Sequence, residues 1–226
     1  MGSPVISINS GYANSPKLTA NITDHADVYG GRALVFDGVT DYLDCGTGLG
    51  NQLGDDYSGG LTFSMWLNVS GMTTNDGIFQ FHVSGLECGT IFESNKIAWY
   101  LNGSKWSESS VISTGNWLNL VCVLDTSSHS NSGIYINGIK DSTGTATNFP
   151  SAGALDFSGK TFLLGKYFND TFTYHGKMTD VKVFNSALTE SQLTELYRKP
   201  ENTPSAVQDN LVAWYPMIEG NPESPQ

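Results

Sequence analysis

A chain of 226 residues with 22 acidic and 11 basic side chains carries a formal net charge of −11, and a surface of that sign repels phosphate backbones, which argues against nucleic acid as a partner. Charged residues make up 15% and apolar ones 39%, beside 25 glycines, the composition of many short strands joined by many turns and not of a disordered chain. No run approaches the roughly 18 apolar residues a membrane-spanning helix needs, so no membrane insertion is expected.

In chain order, Met1-Gly2-Ser3 opens without a basic stretch or an apolar core, so no signal peptide is read there. Leu61 to Val69 alternates strictly, with Leu61, Phe63, Met65, Leu67 and Val69 on one face and Gly59-Gly60 and Gly71 at its ends. That pattern predicts a half-buried strand. Trp117 to Leu124 is apolar on both faces and short, as in a central sandwich strand. Asn137-Gly138, between Ile136 and Ile139, tolerates positive φ at both turn positions and predicts a type I′ hairpin. Phe162–Leu164 and Val181–Phe184 supply further strands.

One helix is predicted. Thr189 and Gln192 have capping-box spacing, Leu188 and Leu193 that of a hydrophobic staple, and Pro200 stops the helix. Residues 201–210 turn polar and read as a linker or loop, after which 211–217 is again a strand. One short helix against about a dozen strands predicts an all-β, two-sheet antiparallel sandwich. No second core is evident, so residues 1–226 read as one domain, its core about 18–200. Of the three cysteines, Cys122 lies in an apolar run as a buried thiol, leaving Cys45–Cys88 as the one bridge open.

Five patches in order carry a resemblance. They are Ala33–Leu43 (ALVFDGVTDYL), Phe63–Leu67, Trp117–Val121, Ile134–Gly138 and Gly176–Phe184 followed by Ala187-Leu188-Thr189. Together they resemble the laminin-G-like jelly rolls of the concanavalin-A-like lectin/glucanase superfamily. Such domains usually begin with a strand of the type GLVAYWPF. Here the similar Asn210–Met217 (NLVAWYPM) stands at the other end. It either completes this sandwich or a neighbouring copy, or begins a following repeat; an unpaired strand so apolar would be an aggregation hazard.

The resemblance implies a binding module or a glycan-cleaving enzyme. Cleaving relatives carry acids alternating along one strand, because a period of two puts both carboxylates on one face. No such run exists; Glu87 and Glu93 have Gly89 and Ile91 between them and read as solvated strand-end charges. His25, His82, His129 and His175 adjoin no nucleophile elbow, and there is no phosphate loop or zinc spacing. The chain is therefore expected to be no enzyme.

The resemblance also implies a structural calcium, held by Asp180 with Glu219, or with Asp24 and Asp27, as a hard cation needs several oxygens. Asp37 and Asp41 read as turn-formers. Sugar faces stack on exposed rings, with amide and acid groups bonding the hydroxyls. Trp106, Trp99, Tyr167, Asn169, Asp170 and Tyr174 are the expected ligand-binding residues, with Tyr100, Phe168 and Phe172 as further aromatics nearby. The resulting expectation is a non-catalytic carbohydrate-binding or adhesion module of a larger extracellular or virion-surface protein. Its partner is a glycan or cell-surface polysaccharide, with self-association through the C-terminal strand or contact with neighbouring repeats left open. A structural or assembly domain of a phage or viral particle is the alternative, and a glycosidase or lyase relative a weaker one.

Overall fold

The computed structural model describes residues 33–217 except 56, 58, 84, 129, 142–154, 168–171 and 201–202, and leaves out the side chains of 82–87. Among these residues the strands are β1 Leu34–Asp37, β2 Leu43–Asp44, β3 Leu61–Gly71, β4 Gly77–Val83, β5 Gly85–Glu93, β6 Lys96–Leu101 and β7 Ser104–Glu108, followed by β8 Trp117–Leu124, β9 Gly133–Ile136, β10 Ile139–Lys140, β11 Thr161–Leu164, β12 His175–Phe184 and β13 Leu211–Tyr215. The helices are α1 Gly48–Leu53, α2 Glu190–Arg198 and a 3-10 helix, Ser205–Asn210.

The strands form two antiparallel sheets. One has seven strands in the order β1-β12-β3-β8-β9-β10, with β13 also on β12; the other has six, β2-β11-β4-β5-β6-β7. Their inner faces meet in one apolar cluster, where Phe63 of β3 stacks on Phe79 of β4 with ring centroids 4.6 Å apart, and Phe81 lies 4.9 Å from Phe162. Leu61, Phe63, Met65, Leu67 and Val69 all enter this cluster, the face their alternation predicts.

The other face of β3 is buried too, against the half-buried strand expected: Thr62, Ser64 and Trp66 are shielded from solvent. The cause is α2, which lies outside the seven-stranded sheet. Leu188, Leu193 and Leu196 pack there with Val121, Val123, Tyr135 and Phe184, and Trp66 stacks on Tyr197 at 5.6 Å. The capping box at Thr189 and Gln192 forms as expected, with Leu188 and Leu193 buried in one cluster. Asn137 and Gly138 adopt φ of 53° and 78° between β9 and β10, the predicted hairpin.

Two elements differ from the sequence reading. Helix α1, in a glycine-bearing stretch, sets Leu49 and Leu53 into the main core. The polar segment expected as a linker contains the 3-10 helix, whose Val207 is buried against the α2 cluster. Of the two placements open for the C-terminal strand, pairing within this sandwich is the one seen: β13 runs along β12 from Leu211 opposite Phe184 to Tyr215 opposite Val181. All three cysteines are free thiols, and burial pushes that of Cys45 up to about 12.

Asp37 and Asp41 build the turn after β1, as predicted. The Asp37 Oδ1 accepts the N–H groups of Thr40 at 2.8 Å, Val39 at 2.8 Å and Asp41 at 3.1 Å. These bonds, that of Thr40 foremost, hold the carboxyl at about 2 against an ordinary 3.8. A carboxyl that titrates lower folded than unfolded adds stability above its unfolded value and loses it as pH falls through the folded one. Asp37→Asn is therefore expected to flatten the decline of Tm between about pH 4 and pH 2, as read by calorimetry. An unchanged acid slope would contradict it.

Candidate functional site

Helix α2 covers the outer face of the seven-stranded sheet, while α1, which contacts β11 of the six-stranded sheet, sends Leu49 and Leu53 into the core between the two. Three of the rings expected to stack on a ligand do not reach the outer face of the six-stranded sheet. Trp99 is fully buried, Trp106 is 4% exposed and Tyr174 is fully buried, so none presents a ring face to a sugar. Trp99 belongs to the inward alternation Ile97, Trp99, Leu101. Trp106 turns inward at a bulge in the β6–β7 ladder, which leaves Trp106 and Ser107 both buried. The two indoles meet edge to face at 5.0 Å. Asn169 and Asp170 lie outside the described residues, as does Phe168. Tyr167 is half-buried beside the face, its ring 6.2 Å from that of Phe172.

The face itself is built by register. Asp44, Leu163, Gln80, Gly89, Tyr100 and Lys105 stand opposite one another from β2 to β7, one residue on each of the six strands. Their chain neighbours Phe162, Phe81, Cys88, Trp99 and Trp106 are in the core, so this row points outward. Beside it runs Gly77, Ile91, Ala98 and Glu108, and beyond that Glu93 opposite Lys96. Gly89 and Ala98 carry little or no side chain, and with Gly77, Gln80, Ile91 and Leu163 they are buried, so apart from Asp44 the solvent-exposed part of this face is its β6–β7 edge, where Tyr100, Lys96, Lys105, Glu93 and Glu108 stand. At Gly89 a Cβ would fall 2.7 Å from the Phe79 carbonyl oxygen and 2.8 Å from the Gln80 Cβ, so only glycine fits.

Charge and hydroxyl groups gather at this edge. Lys105 Nζ donates to Glu93 Oε2 at 3.0 Å and to Glu108 Oε2 at 3.3 Å, and Lys96 Nζ donates to Glu108 Oε1 at 2.8 Å. The Tyr100 hydroxyl donates to the other oxygen of Glu93. Burial, then Glu93, pushes the Tyr100 phenol up, and it remains a donor. Lys96, followed by Lys105, holds the Glu108 carboxyl below its usual range. A general acid in glycan cleavage needs the opposite shift. At the β2 side the ammonium of Lys166 lies 4.0 Å over the ring of Tyr42. Lys96, Lys105 and Glu108 had no motif to mark them in the sequence. The alternation of Lys96, Ala98 and Tyr100 against Ile97, Trp99 and Leu101 was the signal available, since it separates the outward tyrosine from the inward tryptophan.

A laminin-G-like family model, described as the concanavalin A-like lectin/glucanases superfamily, matches residues 37–194. The chain belongs to this superfamily. No curated protein sequence matches it. Among solved structures, domain 4 of AbnA, a GH43 extracellular arabinanase from Geobacillus stearothermophilus in complex with arabinotriose, has a TM-score of 0.54 and 23% identity, over 73% of this chain and 76% of that one. Trypanosoma rangeli sialidase in complex with 2,3-difluorosialic acid has a TM-score of 0.58 and 12% identity, over 77% of this chain but 29% of its own. Such identities establish the likeness of a lectin/glucanase sandwich and nothing about its chemistry.

The superfamily resemblance is also what pointed to calcium at Asp180. Of its expected co-ligands, Asp24, Asp27 and Glu219 lie outside the described residues. Asp180 itself is buried at a bulge in β12 with φ of 54°. Both its oxygens lie 2.5 Å from Lys182 Nζ, and Oδ1 also accepts the indole N–H of Trp214 at 2.7 Å. The same ammonium donates to the Pro200 carbonyl at 2.8 Å and sits 5.0 Å over the Trp214 ring. A hard cation wants six to eight oxygens, and the groups facing Asp180 are proton donors. Among the described residues no oxygen co-ligand joins Asp180. Among the described residues no three His, Cys, Asp or Glu side chains are grouped to hold a metal.

Proposed function

We propose that this domain is a non-catalytic carbohydrate-binding module of a larger extracellular or virion-surface protein, and that its glycan lies along the exposed β6–β7 edge of the six-stranded sheet. The observation that carries the reading is the exposed β6–β7 edge of this face, where half-buried Tyr100 stands beside the Glu93–Lys105–Glu108–Lys96 network. Tyr100 and Tyr167 offer apolar ring faces to a sugar, and the network offers both donors and acceptors to hydroxyls. Superfamily membership supports it, as does the arabinotriose bound to the arabinanase domain of like fold. Glu108, held ionised by two lysines, supports binding without cleavage.

The test is a glycan array followed by calorimetric titration of the best ligand. Tyr100→Ala and Tyr167→Ala are each expected to weaken binding about tenfold, the loss of one stacked ring at roughly 0.5–1.5 kcal/mol, with Tm little changed. A folded wild-type chain silent toward every glycan, or full affinity in both variants, would overturn the proposal.

A further inference from the structure

We infer that the glycan accepted by this face is uncharged, and that acidic sugars are turned away; the inference rests on the carbohydrate-binding reading above. The face holds two ammonium groups in its network, and neither is set to receive a carboxylate from outside. Lys105 places two of its three protons on Glu93 and Glu108, at 3.0 Å and 3.3 Å, and Lys96 places one on Glu108 at 2.8 Å. These two cations and two anions cancel. Lys166, the further cation on this side, has its ammonium over the Tyr42 ring, with Asp44 close by in sequence on β2.

An arriving uronate or sialate would reach only ammonium groups whose charge the two glutamates already offset, and it would stand beside those glutamates as a like charge. A connected set of four charges holds that balance better than a lone surface pair does. The protein's formal charge of −11 adds a long-range repulsion of the same sign. A hydroxyl meets neither obstacle. It donates to a glutamate oxygen and accepts the remaining ammonium proton without parting the ion pairs. The Tyr100 hydroxyl, already donating to Glu93, presents its oxygen as one more acceptor. The network thus offers donors and acceptors to a neutral, hydroxyl-rich ligand, while its balanced charge gives an anionic one no net attraction.

The experiment is calorimetric titration of the full chain with neutral polysaccharides (arabinan, galactan, β-glucan) and with acidic ones (polygalacturonate, alginate, a sialylated oligosaccharide), at low and high salt. At least one neutral glycan is expected to bind with a Kd that moves less than about twofold with salt, and the acidic set to bind at least about tenfold more weakly. The double variant Glu93→Gln/Glu108→Gln frees both ammonium groups and is expected to bring acidic ligands up by about tenfold. An acidic glycan bound more tightly than every neutral one, with salt weakening it, would overturn the inference and leave the carbohydrate reading standing. So would a folded double variant whose discrimination is unchanged. Silence of the folded wild type across the whole panel removes the carbohydrate reading and this inference with it.

Discussion

Lys182→Met is expected to cost about 3–5 kcal/mol of folding stability, the range for a buried ion pair that loses one partner. Lys182 and Asp180 are 1% and 3% exposed at their side chains, so the substitution strands a carboxylate out of water with the Trp214 indole as its one remaining donor among the bonds described. The pair also joins three elements. Asp180 and Lys182 are on β12, Trp214 is on β13, and Pro200 follows α2. Urea denaturation, read by both tryptophan fluorescence and far-ultraviolet circular dichroism, measures the cost. The double variant Asp180→Asn/Lys182→Met removes both charges, and asparagine tolerates the positive φ; it is expected to recover most of the loss. A single-variant cost below about 1 kcal/mol would mean that the pair is solvated.

Trp106→Ala is expected to cost about 3–5 kcal/mol, as large-to-small changes of buried aromatics do. The ring fills the core beside Trp99 and has no solvent face. On the proposed reading the folded fraction should bind glycan with unaltered affinity, since the ring is buried and presents no face to a ligand. Titration under conditions where the variant is folded checks this. A selective fall in affinity with Tm unchanged would return Trp106 to the ligand.

Periodicity made the fold legible wherever one face of a strand enters the core. Leu61 to Val69 and Trp117 to Leu124 show it directly, and the Thr189 cap and the Asn137-Gly138 turn are local chemistry that short stretches of sequence carry whole. What lay beyond reach depended on partners distant in the chain. The outer face of β3 is buried because Leu188 to Tyr197 folds back over it, more than 120 residues later. Trp106 reads as exposed from its polar neighbours, yet a single extra residue in β7 reverses its side. The resemblance offered a cation as partner for Asp180, and only the structure shows that Lys182, two residues on, supplies a counter-charge to it. The proposed binding face was hardest to see, since Tyr100, Lys105, Glu93, Glu108 and Lys96 become neighbours through register alone.

Strands β13 and β1 lie on the same flank of β12, one after the other and in the same direction. Leu211 to Tyr215 covers Phe184 back to Val181, and Leu34 to Asp37 covers Met178 back to His175. Between them the Pro216 carbonyl accepts from the Thr179 hydroxyl at 2.9 Å. Geometrically these are two halves of a single strand divided between distant stretches of polypeptide. The GLVAYWPF-like segment, standing at the C-terminal end of this chain, thus shares one flank of β12 with β1, the strand that opens the sheet.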